Sequence, residues 1–184
     1  MKKTLMTVAI LAGFGSQAWA APSNDEAREL VKSYMGQLKP ELKKGMKNGG
    51  PVNAIEVCHS KAPQIAAELS EQSGWHINRV SLKPRAESGQ PDAWEEEVLE
   101  KFNRQLEDGA NPKKIEFSQT VVMNGEKQFR YMKAIPTGKV CLACHGTDVK
   151  APVKEAIAEH YPKDKATGYH KGELRGAFSF SKSL

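Results

Sequence analysis

The sequence predicts an α+β domain in which a small antiparallel sheet is flanked by helices, with long helices at the N-terminal end. Three patterns support this fold class. Residues 25–70 carry apolar positions spaced three or four apart, as in amphipathic helices. Asn124-Gly125 lies between two stretches rich in β-branched and aromatic residues, which is typical of a hairpin with a type I′ turn. Residues 174–180 then alternate in hydropathy, which predicts a last strand.

The helical region contains two predicted helices, at residues 25–47 and 52–70, separated by Asn48-Gly49-Gly50. Ser23 and Glu26 are spaced as a capping box for the first helix. Five residues of the second helix share one predicted inward face: Ala54, Cys58, Ala62, Ile65 and Leu69. The remaining predicted elements are a strand at 75–82, a helix capped by Asp92 and ending at Glu107, hairpin strands at 115–123 and 126–135, and a helix at 153–160.

Residues 1–20 are typical of a secretory signal peptide. A basic start precedes an apolar run at 5–14, and residues 18–20 form a small-x-small cleavage signal. A membrane anchor is the alternative, but the run is too short to span a bilayer. We therefore expect cleavage after Ala20, a periplasmic location, no stable membrane insertion and a single domain at residues 21–184.

The charge pattern does not predict a nucleic-acid partner. The formal net charge is +5, and leaving out Lys2 and Lys3 gives +3. The chain has no long run of basic residues and no interleaving of basic and aromatic residues, which are features of nucleic-acid-binding chains. A mild positive excess is compatible with an acidic redox partner protein.

Cys141-Leu142-Ala143-Cys144-His145 is a C-x-x-C-H motif, the attachment sequence of haem c. The two thiols add to the two porphyrin vinyl groups, and the histidine then lies under the iron. We expect one covalent haem c, with Cys141 and Cys144 as thioether attachments and His145 as the proximal ligand. A thioredoxin-like dithiol does not need this histidine. A zinc ribbon needs a second C-x-x-C, which the sequence lacks.

The ligand on the other side of the iron stays open at this point. Candidates are Cys58, His59, Met132, His76, His160 and His170, or no ligand. Cys58 is the thiol outside the motif, and a buried free cysteine is an equal alternative for it. His59 lies about 100° around the helix from Cys58, so both cannot face one iron. Arg79, Arg85 and Arg130 are candidates for the haem propionates, with ordinary surface arginines as the alternative.

Several stretches resemble a family of single-haem c domains with a PAS-like fold. The similarity covers nearly all of residues 21–184, and these stretches carry it: 54–58, 62–66, 79–85, 129–136, 161–162, 168–169 and 176–178. The stretch around Cys58 and the stretch 129–146 are the most specific. The resemblance implies a PAS-like sheet flanked by helices, with Cys58 as the sixth iron ligand opposite His145. Members of that family are exported proteins or sensor domains of histidine kinases.

The expected function is one-electron transfer or redox sensing by an exported monohaem cytochrome c. The alternative is a diatomic-gas or redox sensor module that signals through a separate protein, with Cys58 displaced on reduction or ligand binding. His59 could then replace it. We do not expect an enzyme, because a peroxidase needs an open distal position and a positioned acid–base group. The sequence also contains no phosphate-binding loop that would indicate another chemistry.

Overall fold

The computed structural model describes residues 21–123 and 125–184. Its helices and strands follow in this order: α1 (Asn24–Ser73), β1 (His76–Val80), α2 (Ala93–Glu107), β2 (Glu116–Met123), β3 (Glu126–Pro136), α3 (Leu142–His145), α4 (Ala151–His160) and β4 (Leu174–Ser183). The four strands form one antiparallel sheet in the order β1-β4-β3-β2. The predicted α+β class with a long N-terminal helix is therefore confirmed.

The long helix α1 is interrupted at the predicted glycine pair. Ser23 caps its start, because the Ser23 hydroxyl oxygen accepts the Glu26 N–H at 3.2 Å. Gly49 and Gly50 leave the helical region, and Gly50 has a φ of +66°, a value that L side chains rarely adopt. The two halves then approach closely, since a Cβ on Gly45 would lie 3.0 Å from Val57 Cγ2.

The sheet separates two hydrophobic cores. One core lies between α1 and the sheet and includes Tyr131 and Phe180, while α2 covers the other face and packs on Met132. Because successive side chains of a strand point to opposite faces, Tyr131 and Met132 enter different cores. Both are fully buried. The second core thus lies on the far side of the sheet from α1.

A third, smaller cluster joins α4 to the second half of α1. Its buried members are Ile55, Val149, Val153, Ala156, Ile157 and Tyr161, and Cys144 packs against them. Through this cluster, the C-x-x-C-H segment packs against the part of α1 that contains Cys58. The predicted site residues of both halves of the chain are thereby brought to one region.

The predicted signals around α2 and the hairpin are found in the structure. Asp92 and Glu95 form a reciprocal capping box, with each side chain accepting the other's backbone N–H at 2.8 Å. Gly125 has the positive φ of a primed turn, at +84°, whereas Asn124 lies outside the described residues. The predicted signal peptide at 1–20 also lies outside them. Within 21–123 and 125–184, no helix has the length and apolarity needed to cross a bilayer.

Candidate functional site

The C-x-x-C-H motif forms a tight helical turn shortly after β3. A 3₁₀ turn at Lys139–Cys141 runs directly into α3, and the Gly146 N–H closes the turn by donating to the Leu142 carbonyl at 3.0 Å. A Cβ on Gly146 would lie 2.6 Å from that carbonyl oxygen, so the turn requires glycine. Cys141 and Cys144 are both free thiols and half-buried.

The imidazole of His145 is oriented by a backbone carbonyl. His145 Nδ1 lies 2.7 Å from the carbonyl oxygen of Ala166. A carbonyl can only accept, so Nδ1 carries the proton and Nε2 keeps its lone pair. Burial, followed by the charges of Arg175 and Arg85, lowers the pKa of His145 to about 2. A neutral imidazole whose other nitrogen donates to a carbonyl is the form that ligates a metal.

The segment that supplies this carbonyl, residues 164–169, is fixed to the motif by backbone hydrogen bonds. The Gly168 N–H donates to the Gly146 carbonyl at 3.0 Å, and the Tyr169 N–H donates to the His145 carbonyl at 2.9 Å. These bonds form a short parallel bridge. The position of the imidazole is therefore set by the main chain on both sides.

Arg85 braces the same segment from the loop after β1. Its guanidinium donates to the Asp164 carboxylate at 3.0 Å, to the Cys144 carbonyl at 2.7 Å and to the Ala166 carbonyl at 3.2 Å. The side chains of Arg85 and Asp164 are each only 10% exposed. Arg85 therefore lies at the predicted site, but the carboxylate with which it pairs is Asp164 of the chain itself, whereas the sequence analysis expected a haem propionate.

Cys58 lies in the same region, on the second half of α1. Burial raises the pKa of the Cys58 thiol, and the positive charges of Arg79, Arg85 and Arg175 act against this effect. The thiol also interacts electrostatically with Cys141. The structure therefore brings Cys58 together with the motif that follows it by more than eighty residues in the chain.

Three other candidates for the sixth ligand lie elsewhere. Met132 is fully buried in the core beneath α2. His76 is exposed on β1, at one edge of the sheet. His170 is exposed and its Nδ1 lies 3.1 Å from the Glu173 carboxylate. The structure does not bring these three residues to Cys58.

His59 and His160 form a stacked pair beside Cys58. Their ring centroids are 4.8 Å apart, and His160 Nε2 lies 3.0 Å from the Glu56 carboxylate. The ring of Tyr161 contacts His59 edge-on at 5.4 Å. His59 is exposed, so this stack lies next to the site and faces solvent.

The arginines predicted for this site separate into two groups. The positive charges of Arg79 and Arg85 act to lower the pKa of the Cys58 thiol. Arg130 instead lies on the α2 face of the sheet and forms ion pairs with Asp92 at 2.8 Å and Glu95 at 3.0 Å. We therefore revise the prediction for Arg130, because the alternation of β3 directs it away from the motif.

Arg175 was missed by the sequence reasoning. Its Nε lies 3.1 Å from His145 Nδ1 and 3.4 Å from His145 Nε2, and its Nη1 donates to Ser81 Oγ at 3.1 Å. Since Nδ1 already donates to Ala166, only Nε2 can accept from Arg175. The sequence indicated Arg175 only as a polar residue within the predicted last strand. Its position beside His145 depends on the pairing of β4 with β1, which joins residues far apart in the chain.

The Tll0287-like family model matches residues 17–183. The chain belongs to the Tll0287-like family. The crystal structure of the cyanobacterial heme-protein Tll0287 is similar to this Tll0287-like chain, with a TM-score of 0.65 and 25% sequence identity over 89% of this chain and 98% of that one. No curated protein matches the chain. The Tll0287-like match includes both parts of the site, Cys58 on α1 and the motif at 141–145.

Proposed function

We propose that this Tll0287-like chain binds one haem c, attached through Cys141 and Cys144, with His145 and Cys58 as the two axial iron ligands. The observation that carries the proposal is the His145–Ala166 hydrogen bond, which leaves Nε2 with a lone pair directly after a pair of free thiols. The donor set fits haem, because imidazole and thiolate are both known haem ligands. The similarity to the heme-protein Tll0287 supports the haem-binding part of the proposal.

Haem supplies a one-electron couple between ferric and ferrous iron. Ala166 orients the His145 ring and keeps its ligating nitrogen unprotonated. Cys58 as a thiolate adds a negative charge that favours ferric iron, so this ligand lowers the reduction potential. We propose one-electron transfer or redox sensing as the function, without enzymatic turnover, since Cys58 and His145 together would leave the iron no open position for a substrate.

Two sequence features support the proposed setting of this function. The pattern at residues 1–20 supports export to the periplasm, and the mild positive charge supports an acidic redox partner protein. The PAS-like character implied by the resemblance stays a prediction.

A second function, a diatomic-gas or redox sensor module, is favoured by the surroundings of Cys58. Among residues 21–123 and 125–184, none donates a hydrogen bond to the Cys58 sulfur, although Arg130 makes such a bond to Met123 sulfur at 3.2 Å. A ligating sulfur without such support is easier to displace. His59 is the adjacent residue that could take its place.

The test compares ferric and ferrous absorption and ferric electron paramagnetic resonance of the wild type, Cys58→Ala and His59→Ala. We expect a low-spin thiolate signal in the wild type and in His59→Ala, and its loss in Cys58→Ala. An identical ferric signal in Cys58→Ala would contradict the ligand assignment.

The ferrous form separates the two functions. Electron transfer predicts that both axial ligands are retained on reduction and that carbon monoxide binds poorly. Sensing predicts loss of the Cys58 ligand on reduction, rapid carbon monoxide binding, and, if His59 replaces Cys58, a ferrous spectrum that changes in His59→Ala.

A further inference from the structure

The six arginines of the chain divide into two groups by their partners. Four pair with a carboxylate of the chain: Arg28, Arg85, Arg104 and Arg130. Arg79 and Arg175 have no carboxylate partner among the residues that the structure describes. The remaining residues, 1–20 and Asn124, include no Asp or Glu that could supply one.

Both unpaired arginines belong to the site built around Cys58 and His145. Arg175 contacts the His145 ring and is held in place by Ser81 Oγ and, at 3.4 Å, by the Lys83 carbonyl. Arg79 lies on the α1 side of the sheet, where its guanidinium carbon is 5.3 Å from the centroid of the Tyr34 ring. Each of the two guanidinium groups acts electrostatically on both Cys58 and His145.

The site therefore holds more positive charge than it neutralises. Arg79, Arg85 and Arg175 converge there, and the carboxylate of Asp164 forms its ion pair with Arg85 while its charge also acts on Arg175. Two guanidinium charges are left over. Arg175 in particular is half-buried, and a charge that is partly removed from water without a counter-ion is costly. An anionic ligand that carries two carboxylates would balance this charge, and haem has two propionates.

We propose that Arg79 and Arg175 bind the two propionate carboxylates of the haem. This inference rests on the proposed function, and it replaces Arg85 and Arg130 with Arg175 in the set of propionate-binding residues. The planar guanidinium group suits a carboxylate because it can donate two parallel hydrogen bonds. When His145 Nε2 ligates a metal it no longer accepts from Arg175, which frees the Arg175 Nε–H for a carboxylate.

The experiment measures the midpoint potential of the attached haem by spectroelectrochemical titration, together with the propionate bending bands in resonance Raman spectra. The variants are Arg79→Gln, Arg175→Gln and their double mutant, with Arg79→Lys and Arg175→Lys as charge-retaining forms. Arg104→Gln is the matched control, because Arg104 is exposed on α2 and its side chain is 63% accessible.

We expect both glutamine variants to have a lower midpoint potential than the wild type, because an unneutralised propionate stabilises ferric iron. The two effects add in the double mutant. The lysine variants keep most of the wild-type potential, the propionate bands shift in all four single variants, and Arg104→Gln changes nothing.

Unchanged potentials and unchanged propionate bands in the glutamine variants would overturn the proposal. If Arg175→Gln takes up no haem, Arg175→Lys decides: a haem-loaded lysine variant near the wild-type potential supports the proposal, and a haem-free one assigns Arg175 to loop packing. A wild type that carries no thioether-linked haem would instead refute the proposed function, so the two failures are distinguishable.

Discussion

At the scale of single residues, Gly176 shows how closely β4 approaches β1 beside Arg175. Gly176 has a φ of +155°, and a Cβ at this position would lie 2.3 Å from the Val80 carbonyl oxygen. The obstacle is backbone and not the end of a flexible side chain, so the two strands would have to separate. This contact lies one residue from Arg175 and one residue from Ser81, both of which contribute to the site.

We expect Gly176→Ala to lower the free energy of unfolding by about 1–3 kcal/mol, the usual cost of overpacking a filled interior. Gly36→Ala is the matched control: Gly36 lies in the helix, no atom comes within 4 Å of its added Cβ, and alanine there should stabilise by about 0.5–1 kcal/mol. Urea unfolding monitored by circular dichroism gives both values. Equal stability of wild type and Gly176→Ala would show that β1 and β4 can separate at no cost.

At the scale of secondary structure elements, Glu116 ties the long helix to the sheet. Its carboxylate accepts from Arg28 of α1 at 2.9 Å, from Tyr131 of β3 at 2.8 Å and from Lys133 of β3 at 3.1 Å. The hydrogen bonds from Arg28 contribute most to lowering the pKa of Glu116 to about 2, although burial acts in the opposite direction.

We expect Glu116→Gln to lower the free energy of unfolding by about 1–2 kcal/mol at about pH 7, because three donors lose a charged acceptor. The ionised Glu116 is favoured in the folded state, so its contribution is complete above the ordinary glutamate pKa near 4.5 and is lost as the pH falls towards about 2. The difference between wild type and variant should therefore shrink below about pH 4.

The measurement for Glu116 is urea unfolding at about pH 7 and about pH 3. Glu126→Gln is the matched control, because Glu126 lies on the same hairpin, is exposed and makes no ion pair within the described residues. A stability difference that grows on acidification would contradict the role assigned to Glu116.

Local signals account for most of the elements that the sequence predicts. The Ser23 and Asp92 caps, the glycine pair and the hairpin turn act within a few residues, so they can be read from sequence alone. The strand predicted at 75–82 is shorter in the structure, because Ser81 Oγ donates to the Arg175 carbonyl at 2.8 Å and the chain turns there. The predicted helix at 153–160 starts two residues earlier.

The composition of the site is only partly local. The motif at 141–145 is contiguous and was therefore predictable, whereas the approach of Cys58 was implied by resemblance and not by spacing. The acceptor at Ala166 is a main-chain carbonyl oxygen, which every residue type has, so the sequence could not indicate that this residue orients His145. Arg175 reaches the site through strand pairing across almost one hundred residues, whereas the alternation of β3 directs Arg130 away from the site.

At the scale of the whole molecule, the three apolar clusters differ in size. Among residues 21–123 and 125–184, the two clusters that contact the sheet contain twelve and nine buried residues, while the cluster beneath the motif contains six. The motif region also includes a connection from Tyr161 to Glu173 without a helix or long strand. A covalently attached cofactor should therefore stabilise this part of the molecule more than the rest.

We expect the double mutant Cys141→Ala/Cys144→Ala to lose amide hydrogen-exchange protection mainly in residues 52–62 and 139–169. The hairpin and α2 should keep theirs, because they pack into the two larger cores that contact the sheet. Mass spectrometry after exchange reads out both regions. Cys58→Ala, which keeps both thioether positions, is the control and should retain protection at 139–169. A uniform loss over the chain would contradict separate stabilisation.

The hydrogen bond from His145 to Ala166 has a consequence for how this protein can vary by mutation. Its acceptor is a peptide carbonyl, so no single codon change deletes it, and substituting the Ala166 side chain leaves the acceptor atom in place. Mutations can instead change the orientation of the His145 imidazole only through residues that position the Ala166 peptide group, such as Arg85 and Asp164. The hydrogen bond that orients His145 therefore cannot be removed by a substitution at the residue that accepts it.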